Sequence, residues 1–164
     1  YFSPTHCART KDLFNEALKF QKMGGNVDIT SGGSKFAPLH EVVAYGLENG
    51  LNLERLTMSS DGNGSVPKFN ENGELVGYGC ASCASNLEVL QALVRNKILK
   101  IEDTLALMSK NVARYLNLSQ KGEIKVGNDA DLCVFDDELN LYDVIAKGEF
   151  CVKDEKVVKK GFFE

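Results

Sequence analysis

Positive charge is not in excess in this sequence: 19 Lys and Arg stand against 23 Asp and Glu, a net charge of −4. No stretch interleaves Lys and Arg with aromatics. Without a basic field to draw phosphate backbones, nucleic acid is excluded as a partner. No apolar run reaches the roughly 18 residues needed to cross a bilayer. The opening YFSPTHCART also lacks the basic and apolar regions of a signal peptide. No membrane association is expected, and the expected location is cytoplasmic. Cysteine is too sparse and scattered for the disulfide framework of a small secreted domain: there are five, an odd number, in 164 residues. They read as reduced thiols. Histidine is scarcer still, with only His6 and His40. The first residue is Tyr1 rather than an initiator Met, so the sequence is expected to begin inside a longer gene product.

What is present is 43% hydrophobic side chains, enough for one ordinary core or part of a larger one. The segment YFSPTH reads as a strand. Thr10 then caps a helix whose apolar stripe is Leu13, Phe14, Ala17 and Leu18, closed by Gly24 and Gly25. NVDITSGG follows as a second strand, with Val27 and Ile29 alternating against polar neighbours. Pro38 opens a helix that buries Leu39, Val42, Val43, Gly46 and Leu47 and stops at Gly50. RLTMSSD is a third strand. Strands alternating with helices of this length predict crossover units on a parallel sheet, whose ligands sit beyond the strand C-termini. His6, the TSGG stretch and Asp61 all fall at that end.

VPKFNENGELVGYG reads as a hairpin turning at ENG. Two helical segments come next. Ser85 caps the first, with Leu87, Leu90, Leu93 and Val94 inward, and KIEDTLALMSKNVARYLNL forms the second. From Gly122 onward, short strands separated by turns and charges replace the helical pattern, so a boundary is placed near Lys121, dividing the chain into 1–121 and 122–164.

Few of these residues can do chemistry. His6 is either a ligand or a hydrogen-bonded structural histidine. Asp61 in SSDGNGS exposes a carboxylate at a strand end, with Gly62 and Gly64 letting backbone approach closely, although an Asp-Gly turn satisfies the same residues. His40 sits on a helix surface. Cys80 and Cys83, in CASC, have the spacing of half a zinc site or of a redox pair, but no second pair accompanies them. Cys133 and Cys151 read as small core residues of strands. Arg9 lies one helical turn beyond His6. It is either a solvated helix-start charge or a guanidinium suited to a substrate carboxylate.

Together these motifs resemble the metal-dependent amidohydrolases and, within them, the isoaspartyl (beta-aspartyl) dipeptidases. PTHCAR resembles that group's strand-6 motif, SSDGNGS its strand-8 motif, and KGEIKVGNDADLCVFD the exit from the barrel into a small β domain. The resemblance covers essentially the whole chain. It implies an α/β fold: the C-terminal part of a (β/α)8 barrel, strands 6 to 8 with their helices, followed by part of a small β domain. In that family two zinc ions are held by a His-x-His pair on strand 1, a carboxylated lysine, histidines on strands 5 and 6, and the strand-8 aspartate. The resemblance gives His6 and Asp61 as metal ligands, Asp61 also as the catalytic acid and base, and Arg9 and Ser65 as contacts to the carboxylates of a beta-aspartyl dipeptide. No separate organic cofactor is implied.

His-x-His is absent from this chain and the strand-5 histidine has no counterpart. The expectation is therefore a C-terminal half that lacks the partner N-terminal half. Alone it would retain no stoichiometric zinc and no dipeptidase activity, and its open strand edge would favour a homo-oligomer or a complex. Two other readings stand beside it: a related amidohydrolase acting on cyclic amides or N-acyl amino acids, and a non-catalytic half-barrel assembly domain.

Overall fold

Thr10 sits in extended backbone and its Oγ1 accepts from Leu13 N at 3.3 Å, which starts α1 (Lys11–Lys22) where the sequence predicts. These coordinates come from a computed structural model that describes residues 3–161; Tyr1, Phe2 and residues 162–164, which belong to the expected first and last strands, lie outside the described residues. The described chain divides into two compact units between Val112 and Ala113. That division falls within the last helix, ahead of the change in sequence pattern after Lys121.

In the first unit, Phe14, Ala17, Leu18 and Gln21 form the buried face of α1. They stand at i, i+3, i+4 and i+7, so Leu13 falls off the edge of the stripe and is exposed. The fourth position is polar, and its amide is satisfied. Gln21 Nε2 donates to the Asn52 and Arg55 carbonyls at 3.2 and 2.9 Å, and Oε1 accepts from Asn52 N at 3.0 Å.

Two strands, β1 (Val27–Thr30) and β2 (Leu56–Ser59), pair in parallel with Val27 opposite Leu56 and Thr30 opposite Ser59. Between them runs α2 (Leu39–Glu48), which buries Leu39, Val42, Val43 and Gly46; Leu47 is exposed instead. Val27, Ile29, Leu56 and Met58 project to one side and share a core with Phe14, Leu18, Val42, Val43, Leu93 and Leu107. Strand alternation therefore sends Asp28, Thr30, Thr57 and Ser59 to the other face. That face is lined with hydroxyls and one carboxylate rather than methyl groups.

Residues 4–7 run along the free side of β1. Asp28 N donates to Pro4 O at 2.9 Å, and Cys7 N donates to Asp28 O at 3.1 Å. A regular parallel ladder would use residues 4 and 6, so one extra residue is inserted. His6 takes up the excess with a left-handed φ of 57°. The described part of the predicted first strand is thus a strand-like segment broken at His6.

Further on, β3 (Ser65–Phe69) and β4 (Leu75–Cys80) form the predicted antiparallel hairpin, turning between Asn70 and Glu74. In α3 (Ser85–Arg95) the buried residues are Val89, Leu90 and Leu93, while Leu87 and Val94 are half-buried. Ser85 does not cap it; Ser82 Oγ accepts from Ala84 N just upstream at 3.1 Å. The predicted second helix is two: α4 (Ile101–Met108) and α5 (Lys110–Tyr115), broken at Ser109. Just past the break, buried Asn111 donates to the Leu53 and Leu56 carbonyls at 2.7 and 2.8 Å, a polar anchor that helical periodicity does not reveal.

The second unit contains an antiparallel sheet of β5 (Leu132–Phe135), β6 (Leu141–Ala146), β7 (Glu149–Lys153) and β8 (Lys156–Val157), in chain order. Residues 122–131 are irregular rather than strand, with Ile124 and Val126 exposed. Lys121 Nζ pairs there with Asp129, at 2.7 Å, and with Asp131. Cys133 is exposed on β5 and Cys151 half-buried on β7, so neither is a fully buried core residue.

Candidate active site

The polar ends of β1 and β2 bring the candidate residues to one edge of the first unit. Thr30, the last residue of β1, is buried, and its Oγ1 lies 2.8 Å from His6 Nδ1. Thr30 faces Ser59 across the ladder, and Ser31 N continues the pairing to Ser59 O at 2.8 Å. Asp61 follows two residues later. His6 therefore lies beside the end of β1 on one side, and Asp61 lies two residues past the end of β2 on the other.

Asp61 has a left-handed φ of 53°, and Gly64 N donates to its carbonyl at 2.9 Å, closing a tight turn. A β-carbon on Gly64 would lie 2.8 Å from Asp61 O and 3.1 Å from Asp61 Oδ2, so only glycine fits beside this carboxylate. The turn is buckled to the CASC segment. Asn63 N donates to Ala81 O at 3.0 Å, Ala81 N to Gly64 O at 2.9 Å, and Cys80 Sγ lies 3.7 Å from Asn63 Oδ1. Cys83 Sγ occupies the space a side chain at Gly62 would need. CASC thus supports the loop that presents Asp61, a role its spacing does not announce. Ser65 begins β3 directly after the turn, paired with Cys80.

Arg9 is exposed and tied through its backbone. Its N–H donates to His6 O and its carbonyl accepts from Lys35 N, both at 3.0 Å. Lys11 Nζ, 4.9 Å from the Tyr45 ring and 5.7 Å from the Phe36 ring, fastens the loop after β1 against the start of α1. Cys7 is buried beneath His6. Burial pushes its thiol up, and it stays a neutral packing group. His40 lies in the first turn of α2, with Nε2 4.0 Å from Glu41 Oε1.

Thr30, the hydroxyl partner of His6, is the residue that sequence reasoning passes over. A threonine in a strand satisfies β propensity alone, and the only hint is its position beside TSGG at a strand end. A metal needs donors of the right chemistry in sufficient number. His6 and Asp61 are apt, an imidazole with one nitrogen already held and an exposed carboxylate. Among the described residues, however, no three His, Cys, Asp or Glu side chains cluster to hold an ion. Catalytic zinc takes about three protein ligands, and His6 and Asp61 would be two of them.

A model of the amidohydrolase family matches residues 6–162. The beta-aspartyl dipeptidase of Fervidobacterium islandicum AW-1, solved in complex with beta-Asp-Leu dipeptide, is 36% identical over 98% of this chain, with a TM-score of 0.82. A second structure of beta-aspartyl dipeptidase from that organism is 29% identical over 98% of this chain, with a TM-score of 0.75. N-acetylglucosamine-6-phosphate deacetylase from Thermotoga maritima shares the fold over 78% of this chain at 18% identity, with a TM-score of 0.59. The chain spans 42% and 40% of the two dipeptidase chains. Among the described residues, no helix is long and apolar enough to cross a membrane.

Proposed function

This chain belongs to the amidohydrolase family, and from that membership we propose that the protein carrying it is a zinc-dependent isoaspartyl dipeptidase. Its α/β fold matches amidohydrolase structures over a fraction of their chains, as part of the family's barrel. In the proposed organisation residues 1–121 belong to the barrel and 122–164 to the small β domain. The reaction is cleavage of the amide between the side-chain carboxyl of an aspartate and the next residue. One observation carries the reading: the histidine and the glycine-bound aspartate stand on either side of one parallel strand, in a chain 36% identical to a dipeptidase solved with beta-Asp-Leu.

Each residue has a role that its surroundings support. With Nδ1 directed at the Thr30 hydroxyl, His6 presents Nε2 as the ligating nitrogen. The hydroxyl then accepts from Nδ1–H. Asp61 contributes its carboxylate to the same shell, which donors outside the described residues complete. When bound, two zinc ions lower the pKa of the attacking water and polarise the scissile carbonyl. Asp61 takes the proton of that water and delivers it to the leaving amine. The tight turn at Gly64 keeps the carboxylate in one place for both transfers. Arg9, the nearest cation to His6 along the chain, receives a substrate carboxylate through its planar guanidinium. Ser65 donates to another from the same loop as Asp61. A substrate with two carboxylates needs two such donors.

The test is a substrate panel on the intact parent protein: beta-Asp-Leu, alpha-Asp-Leu, an N-acetyl amino acid and a cyclic amide. Cleavage of beta-Asp-Leu with little action on the others is the expected result. Preference for the N-acetyl amino acid or the cyclic amide would move the protein to another amidohydrolase activity.

A further inference from the structure

On the polar face of β1, one step before Thr30, Asp28 is gripped by three hydroxyls from two directions. Its Oδ2 accepts from Thr5 Oγ1 at 2.8 Å and from Ser59 Oγ at 2.6 Å, while Oδ1 accepts from Thr57 Oγ1 at 2.8 Å. Thr5 immediately precedes His6. Thr57 and Ser59 lie on β2, which leads into Asp61, and Thr57 is the register partner of Asp28. The backbone of the same residue holds Pro4 O and Cys7 N, the two ends of the irregular turn around His6. One residue is therefore bonded to the segment bearing each candidate ligand.

The chemistry of the group fits this task. An ionised carboxylate offers about four acceptor sites and no donor, so it can take three hydroxyl protons at once. A serine or threonine would have too few lone pairs, and an asparagine would turn one side of the fork into a donor. Bonds to a charged acceptor are also shorter and stronger than neutral ones, which suits a segment that a regular ladder does not hold: residues 4–7 meet β1 with one residue too many. Without the carboxylate, the His6 turn would keep its backbone contacts, the Thr30 hydroxyl and the packing of Cys7 and Ala8, and would lose its side-chain link to β2.

We infer that Asp28 is a positioning residue, a carboxylate clamp that fixes the spacing between His6 and Asp61 by holding Thr5 on one side and Thr57 and Ser59 on the other. It touches neither the proposed substrate nor the proposed metal, and acts through the two segments it joins. The kinetic part of the inference rests on the dipeptidase reading; the structural part does not.

The experiment uses the intact parent protein as wild type, Asp28→Asn, Thr5→Val, Ser59→Ala and the Asp28→Asn/Thr5→Val double variant. For Asp28→Asn, kcat on beta-Asp-Leu is expected to fall about 10- to 100-fold with KM within about threefold, and retained zinc to fall with it. Thr5→Val and Ser59→Ala should each cause a smaller loss. In the Asp28→Asn background Thr5→Val should add nothing, because both changes cut the same link. Crystal structures read the clamp independently of activity, with residues 4–7 expected to move more than about 0.5 Å relative to β2 in Asp28→Asn. If Asp28→Asn does not fold, Thr5→Val and Ser59→Ala carry the same two readouts. Unmoved segments, kcat within twofold of wild type, or independent multiplication of the Asp28 and Thr5 effects would overturn the clamp. A wild-type parent that leaves beta-Asp-Leu uncut would instead overturn the dipeptidase reading, and the crystallographic displacement would then decide the clamp alone.

Discussion

The Thr30 hydroxyl lies 2.8 Å from His6 Nδ1. A buried hydroxyl at that nitrogen fixes both the ring's orientation and the nitrogen that can face a metal. Thr30→Val keeps the shape of the side chain and removes the partner. In the intact parent it is expected to lower zinc retention or turnover by about 10- to 100-fold, the usual effect of losing the second contact of a metal-binding histidine. Thr30→Ser should restore most of it. Zinc content after dialysis and kcat are the measurements, and wild-type values for Thr30→Val would remove Thr30 from the site.

Gly64→Ala places a β-carbon 2.8 Å from Asp61 O, an atom already bonded to Gly64 N. The turn must open, and crowding of this kind costs about 1–3 kcal/mol. The displaced carboxylate should lower kcat of the parent at least tenfold, since 1 Å of misplacement is costly on the order of 10²-fold. Gly62→Ala should be milder, because the atom in its way is the thiol of Cys83, which is exposed and able to rotate aside. Steady-state kinetics of the two variants, compared side by side, check the order.

Much of this architecture is legible in the residues. Thr10 caps its helix, Val27 and Ile29 alternate into the core, and ENG turns a hairpin, because each of these signals is local. What escapes notice depends on partners distant in sequence. Asp28, between two buried apolar residues, looks like an ordinary solvated strand position, yet it is bound 23 residues back and 31 residues ahead. Thr30 has the same character. The anchor at Asn111, just past the break at Ser109, depends on carbonyls of Leu53 and Leu56, which no periodicity in the helix reports. Leu13 and Leu47 were expected inside because they are apolar and near the stripe, but a helix buries an arc of limited width.

Arg9→Met should raise KM for beta-Asp-Leu in the parent by about 10-fold or more while kcat changes little. A guanidinium that holds a carboxylate away from the reacting carbonyl contributes binding shared by ground state and transition state. A fall in kcat at constant KM would instead make Arg9 part of the reacting centre.

In the second unit, Asp131 is held below the ordinary carboxylate range by the Lys121 side chain and then by the Lys147 amide. Lys121 is raised by its bonds to Asp129 and Asp131. Asp131 therefore contributes stability that is present above the unfolded carboxylate value of about 3.9 and is lost as pH falls through the lower, folded value. Lys121 contributes stability that is present below about 10.4 and is lost as pH rises through its raised value. Lys121→Met should lower the urea midpoint of this unit by a constant amount from about pH 5 to pH 9, with the difference closing in strong acid and strong base. These groups are about one-third exposed, so the effect should be small and should shrink in high salt. A midpoint difference that grows in acid would contradict the assignment.

In the proposed reaction Asp61 is the group that moves the proton during isoaspartyl cleavage. The decisive measurement is the turnover of beta-Asp-Leu and alpha-Asp-Leu by the intact parent and by its Asp61→Asn variant, at matched zinc content. Wild type should cleave the beta-linked dipeptide and leave the alpha-linked one, and Asp61→Asn should lose at least about 10³-fold in kcat, within the range of a removed general acid–base group. An Asp61→Asn protein turning over beta-Asp-Leu at the wild-type rate, or a wild type indifferent to the linkage, would contradict it.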